Sequence, residues 1–224
     1  MKILNLYAGI GGNRKLWGDD IEVTAVEYNE DIANIYKKYF PKDNVIIGDA
    51  HQYLLDHFRE YDFIWSSPPC PTHSKVRKSL AIKKKVGGGT FEQNKPIYPD
   101  MRLYQEVLLL EGYFDGYWCI ENVIPWYEPL IEPQKLGRHC FWTNFELLPK
   151  KFDARGGFDD IEGLANTLGY KMEDLVKVEK RLVLRNCTEP EVGKYIFDTM
   201  LKKANQDELI QEEEDSQMTI FDYL

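Results

Sequence analysis

The sequence predicts an α/β fold built on a doubly wound, mostly parallel sheet, and three observations carry that expectation. Short apolar runs alternate with amphipathic helical stretches through the first 120 residues, the order that yields parallel strands joined by right-handed crossovers. A glycine-rich turn, Ala8-Gly9-Ile10-Gly11-Gly12, follows the first apolar run at once. Acids and a cysteine then recur just past the ends of successive runs, at Glu27, Asp49, Cys70 and Glu121. In such folds ligands bind along that carboxyl edge.

A chain of 224 residues is long enough for one sizeable core and a small appended lobe. With 43% hydrophobic and 29% charged residues, the composition is that of a soluble globular protein. No apolar run approaches membrane-spanning length, and Met1-Lys2 leads straight into Ile3-Leu4-Asn5-Leu6 without a signal-peptide pattern. A cytoplasmic monomer with no membrane partner is therefore expected. Cys70, Cys119, Cys140 and Cys187 have no paired spacing, and no second ligand pair accompanies Cys70 and His73. Neither disulfides nor a metal is expected.

The net charge of −9 argues against nucleic acid as a partner only until its distribution is considered. Asp207, Glu208, Glu212, Glu213, Glu214, Asp215 and Asp222 carry most of it, in a tail without lysine or arginine. By contrast Lys75, Arg77, Lys78, Lys83, Lys84, Lys85 and Lys95 crowd the segment after Cys70 against the single acid Glu92. Such a segment suits phosphate contacts; a solvated surface loop has the same composition.

Lys2 to Tyr7 reads as a buried strand. The glycines after it let backbone approach a ligand, and a helix starting near Asn13 would aim its amides there. The next strand, Glu22 to Val26, ends in Glu27, 15 residues after Gly12. An acid at that tip suits a ribose diol. Asn29 to Phe40 has helical periodicity and stops at Pro41. Val45-Ile46-Ile47 is a third strand, followed by Gly48-Asp49-Ala50, where Asp49 either caps the next helix or faces a nucleotide. Tyr61 to Trp65 is the fourth strand. It runs into Ser66-Ser67-Pro68-Pro69-Cys70-Pro71, a proline-stiffened turn that either presents a nucleophile or buries an inert thiol.

Lys75 to Tyr98, with Gly87-Gly88-Gly89, reads as a mobile loop. Arg102 to Leu110 is a helix and Tyr117-Trp118-Cys119-Ile120 a fifth strand. Its end, Glu121-Asn122-Val123, puts a carboxylate on the cysteine's edge or caps the strand. After Arg138-His139-Cys140 comes an aromatic strand, Phe141 to Phe145. Asp159 to Leu168 reads as a helix, Lys180 to Leu184 as a short apolar-alternating segment, and Pro190 to about Lys203 as a last helix. The polar, acidic remainder is expected to be disordered.

This ordered set resembles the cytosine-C5 DNA methyltransferases. The matching residues are Tyr7-Ala8-Gly9-Ile10-Gly11-Gly12, Glu27-Tyr28, Gly48-Asp49-Ala50, Pro68-Pro69-Cys70 with Ser74, Glu121-Asn122-Val123, and Asn186 with Pro190. The resemblance implies a Rossmann-like class I methyltransferase fold and S-adenosyl-L-methionine as cofactor. It implies that Tyr7, Ala8, Gly9, Ile10, Gly11, Gly12, Glu27, Tyr28, Asp49, Ala50, Pro69 and Asn186 bind that cofactor. It further implies a covalent bond from Cys70 to C6 of a flipped cytosine, with Glu121 and Arg138 as catalytic partners.

Double-stranded DNA is the implied substrate, contacted by Ser74, Lys75, Arg77, Lys78, Lys83, Lys84 and Lys85. Transfer RNA as substrate, or an inactive nucleic-acid-binding homologue, are the alternatives. Pro71 stands where the family has Gln, and only Arg138 and His139 represent its arginine-rich block. The implied division is a catalytic and cofactor-binding core over 1–145, a reduced target-recognition segment over 146–184, a returning helix over 185–204 and an acidic tail over 205–224. Within the tail, Gln217-Met218-Thr219-Ile220-Phe221 resembles the peptide by which bacterial replication proteins dock on the sliding clamp. Gln217, Ile220 and Phe221 would make that contact.

Overall fold

Strand β1 (Lys2–Leu6) lies between its neighbours with Leu4 and Leu6 in one core cluster and Ile3 in the other, all three fully buried. This period-two division is what a strand covered on both faces requires. The computed structural model describes residues 1–75, 84–86, 90–92, 98–152 and 160–221. Strand β2 (Glu22–Glu27) and, further on, β4 (Phe63–Ser66) pair parallel with β1 on its two sides, and β3 (Asn44–Ile47) pairs parallel with β2. Beyond β4, two short strands β5 (Lys84–Val86) and β6 (Thr90–Glu92) form a separate antiparallel hairpin. Strand β7 (Tyr117–Val123) then joins β4 in parallel. Strands β8 (Gln134–Leu136) and β9 (His139–Thr143) complete the sheet, with β9 antiparallel to both β7 and β8. The order β3-β2-β1-β4-β7-β9-β8 reverses direction between β1 and β4. At such a switch point the connections diverge to opposite faces and leave a crevice at the strand ends.

Helix α1 (Glu30–Tyr39) begins where the Asn29 side chain accepts from the Ile32 amide, and stops ahead of Pro41. Helix α2 (Ala50–His57) begins at Asp49, whose Oδ1 accepts from the amides of His51 and Gln52. Helix α3 (Arg102–Tyr113) buries Leu103, Tyr104, Val107 and Leu110 in the cluster that also holds Leu54, Ile64 and Ile120. On the opposite face Trp17, Phe63, Trp65 and Phe141 pack with Ile196, Phe197 and Met200.

Residues 160–186 form helix α4 (Ile161–Thr167), a 3-10 turn (Met172–Leu175) and helix α5 (Lys180–Asn186). Leu164, Leu168, Tyr170, Leu175 and Leu184 pack on Ile10 and Ile35, and the Tyr170 hydroxyl donates to the Ile10 carbonyl at 2.6 Å. The described part of the expected recognition segment thus sits against the glycine turn as a wall of the core. Its apolar stripe is too large to leave in water.

Other elements differ from expectation. The helix near Asn13 is only a 3-10 turn, Asn13–Leu16, closed by Gly18 at φ 88°. Lys180 to Leu184 is helical, because the Glu179 carboxylate accepts from the Leu182 amide at 2.6 Å and a cap outweighs a brief alternation. The tail expected to be disordered continues instead as helix α6 (Pro190–Phe221). Tyr117 donates to Asp207 at 2.7 Å, Lys203 pairs with Asp207 one turn away, and the Glu, Gln and Leu that follow are strong helix formers. Near its start α6 abuts the Asn13 turn, with Trp17 Nε1 donating to the Gly193 carbonyl at 3.2 Å. The stretch read as a mobile loop contains the β5 and β6 hairpin. Among the described residues no helix is long and apolar enough to cross a membrane.

Candidate active site

The carboxyl ends of β1, β2, β4 and β7 open into one cavity of about 700 Å³. Its wall combines the glycine turn, Glu27, Asp49, Cys70, Glu121, Arg138, His139 and the end of α5 through Thr188.

The glycine turn opens with strain. Tyr7 has φ 53°, the left-handed region in which a side chain costs about 1–2 kcal/mol. Its hydroxyl donates to Glu106 at 2.7 Å, a bond to a charged acceptor strong enough to hold that conformation. Burial, with Glu106 beside it, pushes the Tyr7 hydroxyl far up, so it remains a donor. Gly9 also has positive φ, and its amide donates to Glu27 Oε2 at 3.0 Å. Glu27 Oε1 accepts from the Asn29 amide at 2.9 Å, so the acid is fixed from two sides. Each oxygen keeps a second lone-pair direction for a ligand hydroxyl. Gly12 allows a close approach: a Cβ there would meet Cys187 Sγ and the Thr188 carbonyl at 2.2 Å.

The cysteine turn is fastened along its length. The Ser67 amide donates to Leu6, Asn122 Nδ2 to the Pro68 carbonyl at 2.9 Å, and the amides of His73 and Ser74 to the Cys70 carbonyl. Trp126 Nε1 donates to the Thr72 carbonyl and the Asp100 amide to Thr72 Oγ1. His73, fully buried, lies 2.5 Å from the Tyr127 hydroxyl through Nδ1. Burial, then the nearby Glu121 carboxylate, raise the Cys70 thiol above its ordinary value, while Arg138 opposes them. Cys70 is partly buried, whereas Cys119, Cys140 and Cys187 are buried.

Glu121 stands on β7, with Oε2 accepting from Thr188 Oγ1 at 3.3 Å and Oε1 3.5 Å from His139 Nε2. Arg138 also lines the cavity, but its guanidinium is paired with Glu189 at 2.9 Å.

All the residues expected to bind cofactor except Gly11 line this cavity. Asp49 performs the capping role, and Tyr28 is 80% exposed at the rim. Ser74 bridges to Pro125 and Lys75 is exposed. Lys84 and Lys85 lie in β5; Arg77, Lys78 and Lys83 fall outside the described residues. Gln217, Ile220 and Phe221 lie on α6, away from any extended peptide form. Reading the sequence missed Thr188 and Glu106. Glu106 had a signal: a lone acid on the apolar stripe of α3.

A doubly wound, mostly parallel sheet of this order, with the cavity on its carboxyl edge, is a Rossmann-like α/β fold. Residues 1–95 match the C-5 cytosine-specific DNA methylase family. That match spans 95 of the 224 residues, and the family it names uses S-adenosyl-L-methionine. A tRNA (cytosine(38)-C(5))-methyltransferase from Spodoptera frugiperda is 36% identical over 85 residues, which are 35% of this chain and 26% of that enzyme. A mutant DNMT2 structure from the same insect is 27% identical, covers 55% of this chain and 35% of its own, and has a TM-score of 0.35. A putative DNA modification methyltransferase encoded within an Escherichia coli prophage is 14% identical, covers 74% of this chain and 54% of its own, with a TM-score of 0.42.

The residues present fit the cofactor. Ile10, Ile32, Leu182 and Val183 offer apolar wall for a purine, and Glu27 and Asp49 offer acceptors for its hydroxyls and amines. Among the described residues no group of His, Cys, Asp or Glu could hold a metal ion.

Proposed function

We propose that this protein transfers a methyl group to C5 of cytosine in DNA through a covalent bond between Cys70 and C6 of the base. The observation that supports it best is that Cys70 and Glu121 line the same cavity as the glycine turn and Glu27. The cofactor, when bound, supplies an electrophilic methyl group on a sulfonium. The chain's own residues do the rest. The Cys70 thiol gives up its proton to water and its sulfur bonds to C6, which moves electron density onto C5. Glu121 hydrogen-bonds N3 and the exocyclic amine, offsetting the charge that develops as the ring loses aromaticity. Once C5 carries the methyl group, water takes the C5 proton, the C5–C6 double bond re-forms and sulfur leaves as thiolate. A base inside a duplex cannot reach Cys70, so it must be flipped, at a cost of a few kcal/mol. Lys75 and the basic residues after it contact the flanking phosphates.

A second reading, transfer RNA as substrate, is favoured by the name of the Spodoptera relative. Methyl incorporation into duplex DNA and into tRNA, measured side by side, decides between them: incorporation into tRNA alone overturns the DNA reading, and incorporation into neither supports an inactive homologue. The C-terminal Gln217 to Phe221 segment docks on a sliding clamp in this reading, a role that its sequence supports.

A further inference from the structure

Glu106 is fully buried on α3, between the apolar side chains of Leu103, Val107 and Leu110. Its Oε1 accepts from the Tyr7 hydroxyl at 2.7 Å and lies 2.9 Å from His51 Nδ1. Its Oε2 accepts from the Ser66 hydroxyl at 2.6 Å. Each partner belongs to a different part of the site. Tyr7 opens the glycine turn, and His51 stands in the first turn of α2, just past Asp49. Ser66 is the last residue of β4, followed directly by Ser67-Pro68-Pro69-Cys70.

An apolar side chain would fill this place without the cost of taking a carboxylate out of water. What an apolar residue cannot do is accept three directional bonds from three elements, which sets their mutual positions as well as their burial. Tyr7 adds an independent sign, because its left-handed backbone holds only if something outside the turn restrains it.

We propose that Glu106 is a positioning residue that fixes the cofactor-facing turn and the Cys70 turn with respect to each other. This rests on the cavity being the cofactor and nucleophile site proposed above. One carboxylate oxygen serves the Tyr7 and His51 side, and the other serves the Ser66 side. Glutamine can imitate that arrangement, its carbonyl facing Tyr7 and its amide donating to the Ser66 hydroxyl, whereas leucine cannot.

The test measures two quantities in the full-length protein: the Kd for S-adenosylmethionine by calorimetry, and the rate of iodoacetamide alkylation at Cys70 by peptide mass spectrometry. Tyr7→Phe is expected to raise the Kd about tenfold while alkylation stays within about twofold, since one charged hydrogen bond is lost on one side only. Ser66→Ala is expected to change alkylation about threefold or more with the Kd within about twofold. Glu106→Leu shifts both quantities, and Glu106→Gln restores both. A folded Glu106→Leu protein with both values unchanged overturns the proposal. So do Tyr7→Phe and Ser66→Ala proteins that lose thermal stability but keep both values, and this pair decides the matter if Glu106→Leu does not fold. If the wild type fails to bind S-adenosylmethionine, the functional reading falls, and alkylation in Ser66→Ala and Glu106→Leu still tests the positioning role.

Discussion

Glu121 is held from both of its oxygens, by the Thr188 hydroxyl at 3.3 Å and by His139 Nε2 at 3.5 Å. The first partner follows α5 and the second opens β9, so the acid is aimed by parts of the chain remote from its own strand. Replacing Glu121 with Gln keeps the shape and removes the charge. Turnover should fall about 10²- to 10⁴-fold, the usual range for a positioned acid or base. The Kd for S-adenosylmethionine should stay within about twofold, since the role proposed for Glu121 is toward the base. Single-turnover methyl transfer at the wild-type rate would contradict this role.

Cys70→Ala and Cys70→Ser should abolish turnover while cofactor binding persists. An oligonucleotide bearing 5-fluorocytosine should trap a covalent adduct on wild-type protein, visible as a mass increase, because a C5 that carries fluorine in place of hydrogen has no proton to lose in the elimination that would free the sulfur. An active enzyme that forms no adduct would eliminate the covalent route.

The free thiol should also report its surroundings. Only thiolate alkylates readily, and burial, with Glu121 beside it, raises the Cys70 thiol above its ordinary value. The thiolate fraction therefore stays small in neutral solution and grows as the solution becomes alkaline. Iodoacetamide should react with Cys70 more slowly than with an exposed cysteine at neutral pH, and faster as the solution becomes alkaline. A rate already at its plateau in neutral solution would show a thiol lowered in pKa.

Glu27→Ala removes an acceptor that also braces the Gly9 and Asn29 amides. Cofactor binding should weaken by about 1–3 kcal/mol, the range for hydrogen bonds involving charge. Calorimetry giving the wild-type Kd would exclude Glu27 from the ribose site.

Removing residues 216–224 should abolish binding to a sliding clamp, measured by surface plasmon resonance, without altering methyl transfer on short oligonucleotides. Equal clamp affinity for the shortened chain would dispose of the docking peptide.

Much of the sheet could be read in the sequence because β1 to β4 and β7 centre on short apolar runs bounded by turn residues, as in Val45-Ile46-Ile47 before Gly48, whereas β8, Gln134–Leu136, has no such run. The carboxyl edge was legible for the same reason, since Glu27 and Glu121 directly follow such runs and Asp49 and Cys70 lie on the turns just past them. What escaped depends on contacts between distant positions. Glu106 meets Ser66 across 40 residues and Tyr7 across 99, so the lone acid on the apolar stripe of α3 marks a buried polar group without naming its partners. His139 reaches Glu121 through the antiparallel register that sets it opposite Val123. In α5 and α6 a local pattern misled: alternation at Arg181 to Leu184 yields to the Glu179 cap, and an acidic composition that suits disorder also suits a helix once Asp207 is tied to Tyr117.

The contact of Gly12 with Cys187 and Thr188, together with the bond from Trp17 to Gly193, has a consequence for synthesis on the ribosome. Cys70 and the first four strands of the sheet emerge early, but one wall of the cavity is made by residues translated more than a hundred positions later. A nascent chain that has exposed Cys70 therefore still lacks one wall of the cavity. Closure of that cavity waits for α5 and the start of α6 to leave the exit tunnel.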